Sequence, residues 1–110
     1  MTRQKLYGII ESFQDYKGAD ATNYGVWSTF EGAKAALNRI IEQNFHYIYE
    51  NFLQDANNDK AKAKEKWDEW VLSNYNTDFA KEYEGDLEWE YDDGDTVTRY
   101  YLEKVYLDEN

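Results

Sequence analysis

"YEGDLEWEYDDGDTV", residues 83 to 97, places a carboxylate at every second position: Glu84, Asp86, Glu88, Glu90 and Asp92. Between them stand Gly85, Leu87, Trp89 and Tyr91. Alternation with a period of two marks a β-strand with one buried face. Leu87, Trp89 and Tyr91 are therefore expected to point into the core. The carboxylates are expected to project together on the other side, about 6.6 Å apart, twice the rise per residue of a strand. The Asp93-Gly94 pair that follows is a strong hairpin signal. A last strand is read in "TVTRYYLEKVYLDE", residues 96 to 109. Its buried phase shifts between Leu102 and Val105, which predicts a bulge near Glu103 and Lys104.

Upstream of this hairpin the period changes. Ala33, Leu37, Ile40, Ile41, Phe45, Ile48 and Phe52 keep helical spacing and predict one long amphipathic helix over residues 29 to 53. The "STFE" before it has the form of a capping box, with Ser28 and Glu31 bonding each other's backbone amides. "QDANND" ends that helix, and Asn58 or Asp59 caps a second one over residues 60 to 74 that carries Trp67, Trp70, Val71 and Tyr75 on one face. "TDFAKEY" offers a further helical turn. At the N-terminus "KLYGIIESF" and "YGVWS" read as strands joined by the long loop "QDYKGADATN". The predicted order is β-β-α-α-β-β, a two-layer α+β domain with the helices on one face of an antiparallel sheet. Residues 1 to 110 form one domain, since no linker, repeat or composition shift divides them.

Composition narrows the function. The chain has 42% apolar and 18% aromatic residues, so it can build a core despite a formal charge of −11. Residues 78 to 95 carry nine acids against Lys81 alone. Such a chain is not expected to bind nucleic acid directly, because phosphates are held by Lys and Arg. Without cysteine there is no disulfide and no thiolate metal site. The N-terminal "MTRQKLYGIIESF" has no signal-peptide pattern, and no stretch approaches a membrane span, so a cytoplasmic protein is expected.

Chemistry-bearing motifs are missing. The lone histidine, His46, has no nucleophile motif to accompany it and reads as a helix-surface residue. There is no Gly-rich phosphate loop. "DDGDT" fails as a calcium loop, since aromatic residues would occupy the ligand positions. Neither enzyme activity, metal nor cofactor is expected.

Two readings of the acidic row compete. A solvated strand face is ordinary in antiparallel sheets. Such faces usually mix signs, however, because like charges along and across strands repel. Here the facing strand offers only Arg99 and Lys104 in compensation. A regular row of negative charge imitates a nucleic-acid backbone to a protein that binds phosphates. Glu84, Asp86, Glu88, Glu90, Asp92, Asp93 and Asp95 would supply the charge, and exposed Tyr100 and Tyr106 the aromatic anchors.

The strand followed by "VWSTFEGAKAALNRI", the terminal "YYLEKVYLDE" and the acidic composition resemble small proteins of phages and mobile elements in low-GC Gram-positive bacteria. Among these, the composition is similar to that of anti-CRISPR and anti-restriction inhibitors, several of which act as DNA mimics. The resemblance implies an inhibitor of a basic nucleic-acid-binding protein, such as an RNA-guided CRISPR nuclease, at work in the host cytoplasm. The alternative is a structural or assembly protein, a homodimer for example, that associates through its aromatic surface.

Overall fold

The computed structural model describes residues 3–76 and 86–108. Two strands, β1 (Arg3–Asp15) and β2 (Gly18–Trp27), precede three helices, α1 (Phe30–Asn44), α2 (His46–Asp55) and α3 (Lys60–Ser73). Strands β3 (Leu87–Asp92) and β4 (Val97–Asp108) close the chain. All pairings are antiparallel and the order across the sheet is β2-β1-β4-β3. The first and last strands thus lie side by side in the middle. The α+β class and the order of strands and helices follow the sequence reading, with the second helix of that reading becoming α3.

The first helix of that reading is two helices. The backbone leaves helical geometry at Phe45, with φ −120° and ψ 24°. The apolar spacing runs through this residue unbroken, and neither Gly nor Pro marks it. Its reason is tertiary. Phe45 is buried with its ring 5.3 Å from Trp89, 5.5 Å from Tyr91 and 5.7 Å from Trp70. Breaking there lets α2 turn away and pack along α3. The cap also differs from expectation: Thr29, not Ser28, accepts from the Gly32 amide at 3.0 Å. Asp59 caps α3 as expected, accepting from Ala61 and Lys62. The helical turn expected in "TDFAKEY" lies outside the described residues.

The N-terminal hairpin has no long loop. Only Tyr16 and Lys17 turn the chain, and the Asp15 carboxylate accepts from the amides of Lys17 (2.8 Å) and Gly18 (3.2 Å). The segment expected as loop is strand, and Gly18 through Tyr24 are all exposed. With nothing packed over them, these residues need no apolar alternation, and the pattern hid the strand. The bulge expected in β4 is absent: β4 pairs with β1 in unbroken register from Arg3↔Asp108 to Gln14↔Val97. The irregularity sits in β2 instead, where Ile9 pairs Gly25 and Ile10 pairs Asn23, leaving Tyr24 as the extra residue. Gly25 takes φ +115°, which a side chain would resist.

The core forms where the helices cover the sheet. Ile9, Leu37, Ile41, Trp89, Tyr100 and Leu102 have no measurable exposure. Trp89 faces inward as expected, and its indole N–H donates to the Val71 carbonyl at 2.9 Å. Tyr100, expected as an exposed anchor, is 0% exposed. The register explains the correction: Tyr100 is paired directly with Trp89, and paired residues share a face. Its hydroxyl accepts from Asn44 Nδ2 at 2.7 Å and donates to Glu11 Oε1 at 3.3 Å. Glu11 Oε2 also accepts from the hydroxyl of Tyr24, the bulged residue, at 2.8 Å. The bulge therefore serves a polar network in which one carboxylate ties two strands to the end of α1.

Removing the Tyr100 hydroxyl tests that network. Tyr100→Phe should cost about 0.5–1.5 kcal/mol in denaturant unfolding, the net worth of an ordinary hydrogen bond, because Asn44 and Glu11 keep the Tyr24 hydroxyl as a partner. An unchanged midpoint would show that the Tyr100 hydroxyl carries no stability.

Candidate protein-binding face

Among the described residues, the helices cover one side of the sheet and leave the other open. Alternation from Trp89, Tyr100 and Ile9 assigns the open side to Glu88, Glu90 and Asp92 of β3, to Val97, Arg99, Tyr101, Glu103 and Val105 of β4, and to Leu6, Gly8, Ile10 and Ser12 of β1. Glu88, Glu90 and Asp92 thus do form a row. Of the two cations expected to compensate them, only Arg99 is on their side. Lys104 follows the parity of Tyr100 and Leu102, towards the helices.

Each acid of the expected site has a definite setting. Glu90 lies opposite Arg99, its Oε2 3.1 Å from the guanidinium Nε, and both side chains are partly exposed. The hydrogen bond and charge of Glu90 hold Arg99 still more firmly protonated. Glu88 accepts from the Asn76 side-chain amide at 3.1 Å. Asp86 bends away from the row to accept from the Lys104 backbone N–H at 2.9 Å, satisfying a donor just beyond the end of β3.

The remaining acids shape the β3–β4 turn. Asp92 accepts from the Gly94 amide, and Asp93 accepts from the amides of Asp95 and Thr96 and from the Thr96 hydroxyl. Those donors, led by the Thr96 amide, hold the Asp93 carboxyl below its usual range. Gly94 takes φ +96°, as this turn requires. The hairpin turns at the expected Asp93-Gly94 pair, through residues 93 to 96. Asp95 is exposed at its tip. Glu84 lies outside the described residues. Tyr106 is 53% exposed, but by strand parity it lies on the helix side beyond the core, apart from the acidic row.

Beside the acids runs an apolar strip that the sequence reading missed. Gly8 leaves room for two valines from neighbouring strands: a Cβ placed there would sit 3.6 Å from Val105 Cγ2 and 3.7 Å from Val26 Cγ1. Val26 is 54% and Val105 41% exposed. Ile10 and Tyr101, paired across β1 and β4, continue the strip. The apparent phase shift in β4 is therefore two alternations on opposite faces. Tyr100 and Leu102 fill the core while Tyr101 and Val105 line the open side.

A concavity of about 790 Å³ opens between α1, α2 and α3. Trp67, Val71 and Tyr75 line it, with Lys34, Glu42 and Lys64 among its charged residues. Its charges are mixed in sign, and Lys64 is paired with Asp68 at 3.0 Å. His46 is exposed on α2 beside Glu50, with 3.4 Å between Nε2 and Oε1. Among the described residues no cluster of three or more His, Asp or Glu has metal-holding geometry. No helix among them is long and apolar enough to cross a membrane. Tyr75 closes one end of the concavity by donating to Asn38 Oδ1 at 3.0 Å.

Burial raises the Tyr75 phenol from its ordinary value to about 12. The folded state thus favours neutral Tyr75, and this stability is complete below about pH 10, where the unfolded phenol also stays protonated. It should be lost as pH rises from about 10 towards 12. A tyrosinate absorbance titration run beside circular dichroism should show ionisation of Tyr75 tracking loss of fold; Tyr75→Phe should remove that component.

No protein-family model matches the chain, and neither a curated protein nor a solved structure is significantly similar to it.

Proposed function

We propose that the protein is an acidic binding protein, not an enzyme, that inhibits a nucleic-acid-binding enzyme by laying its open sheet face against that enzyme's basic groove. One observation carries this reading: Glu88, Glu90 and Asp92 stand in a row on one strand, compensated on their own face, among the described residues, by Arg99 alone, beside the strip of Ile10, Tyr101, Val26 and Val105. A charged row next to exposed apolar surface supplies the two elements of a protein interface, electrostatic steering and desolvated contact area. Tyr101 takes the place of Tyr100 as the aromatic residue of this face. The first target to test is an RNA-guided CRISPR nuclease, and the setting is the cytoplasm of a phage-infected bacterium.

The assembly alternative through an aromatic surface finds less support. Tyr16, 87% exposed, tops the β1–β2 hairpin, whereas Tyr106 is paired with Lys5 towards the opposite end of the sheet. Tyr47 is on α2. These exposed rings lie on separate parts of the molecule.

Affinity capture from a bacterial lysate, followed by competition, tests the reading. The captured enzyme should not hold DNA and this protein at once, and capture should weaken as salt rises, because screening acts on exposed charge. A partner that binds DNA and this protein simultaneously would sink it.

A further inference from the structure

The two edges of the sheet are treated differently. The outer edge of β3 is closed by the chain itself: the Asn76 amide donates to the Glu88 carbonyl at 2.9 Å, and the Glu90 amide donates to the Asn74 carbonyl at 3.0 Å. Tyr75 forms a bridge there with Trp89. Among the described residues, the outer edge of β2 has no such cover. No described residue makes a backbone hydrogen bond to the outer side of Gly18 through Asn23, and the whole run to Tyr24 is exposed. In an antiparallel pair, alternate residues turn both N–H and C=O away from the partner strand. A row of unpaired donors and acceptors is therefore presented to solvent.

Proteins usually guard such an edge with Lys, Pro, inward charges or a very short strand. Of these, "GADATN", residues 18 to 23, holds only Asp20, which its pairing with Phe13 places on the helix side. Asp20 is the sole charge in the ten residues of β2, in a chain where 32% of residues are charged. The β2 bulge comes only after this run, at Tyr24. The side chains are small, so a second backbone can approach without obstruction.

We propose that β2 is the pairing edge for a second copy of this chain, joining two sheets antiparallel into one of eight strands. An antiparallel edge is its own complement under a two-fold axis. The exposed run is centred on Ala21, so an axis there sets Ala21 against Ala21. Asp20 of each copy then falls opposite Thr22 of the partner subunit, and the two aspartates avoid each other. Charge selects the same edge. Two copies of net charge −11 repel over β3, and they meet with least repulsion along β2. The proposal is independent of the acidic-face reading, since no carboxylate of β3 takes part.

Light-scattering mass measurement over a range of concentrations tests it. The wild type should approach twice the 13.1 kDa chain mass, and added salt should strengthen the association by screening the repulsion between copies. Ala21→Lys and Ala21→Glu, each alone, should associate at least tenfold more weakly because like charges then face across the axis. Mixing the two variants should restore a dimer. Amide exchange in Gly18 to Tyr24 of the wild type should slow as concentration rises, which reads the pairing without any substitution. A wild type that stays monomeric to about 1 mM, a Kd no tighter than that of a casual contact, would overturn the proposal. So would a dimer that survives Ala21→Lys and is lost in Val105→Lys, since the contact would then be the open sheet face.

Discussion

Replacing Trp89 by alanine should lower the unfolding free energy by about 3–5 kcal/mol, the range for removing a buried large aromatic side chain. Trp89 has no exposure, and its ring lies 5.3 to 5.6 Å from those of Phe45, Trp70 and Tyr100. Its N–H also ties β3 to the last turn of α3 through Val71. The cavity would open where α3 and the break between α1 and α2 meet the sheet, and the surroundings cannot collapse without moving whole elements. Since small domains are stable by only about 5–15 kcal/mol, little stability would remain. The melting temperature should fall by roughly 12 °C or more, at about 4 °C per kcal/mol for a chain of this size. Thermal unfolding followed by circular dichroism measures this, and a shift of only a few degrees would contradict the packing described here.

The second large effect concerns binding. Reversing Glu88, Asp95 and Glu103 together to lysine should weaken capture of the proposed nucleic-acid-binding enzyme by at least tenfold, about 1.4 kcal/mol. These three are the acids of choice because their carboxylates do not anchor the backbone. Asp86 satisfies the Lys104 amide, Asp92 and Asp93 build the turn, and Glu90 holds Arg99. Reversing any of those would confuse lost structure with lost charge. Stability of the triple variant should stay within about 0.5 kcal/mol of wild type, as for ordinary surface substitutions. Undiminished binding by the folded variant would show that Glu88 and the other unanchored acids of this face do not carry the binding.

The structure also qualifies the question the acidic row raises. Five carboxylates at alternate positions look uniform in sequence, yet among the described ones each has its own role. One satisfies an orphan amide, one meets an amide side chain, one an arginine, and one nucleates a turn. Hydrogen bonding to neighbours is invisible to spacing. Spacing reports only which way a side chain leaves the backbone.

What was legible in the sequence was therefore whatever depends on direction and local chemistry. The period of two around Trp89, the helical period from Ala33 to Phe52, the Asp59 cap and the Asp93-Gly94 turn all speak through neighbours within a few residues. They were enough for the α+β class, the order of strands and helices, and the inward face of β3. What depended on distant partners needed the tertiary structure. Phe45 breaks a helix because rings from α3 and β3 meet it there. Tyr100 is buried because the register sets it opposite Trp89. Gly18 to Asn23 form a strand without apolar alternation because β1 supplies hydrogen bonds while no helix supplies a core. Val105 is apolar on the open side because Gly8 and Val26, far away in the chain, complete a surface with it. Backbone direction is a local property that each residue carries. Burial is a property of what the rest of the chain brings to that place.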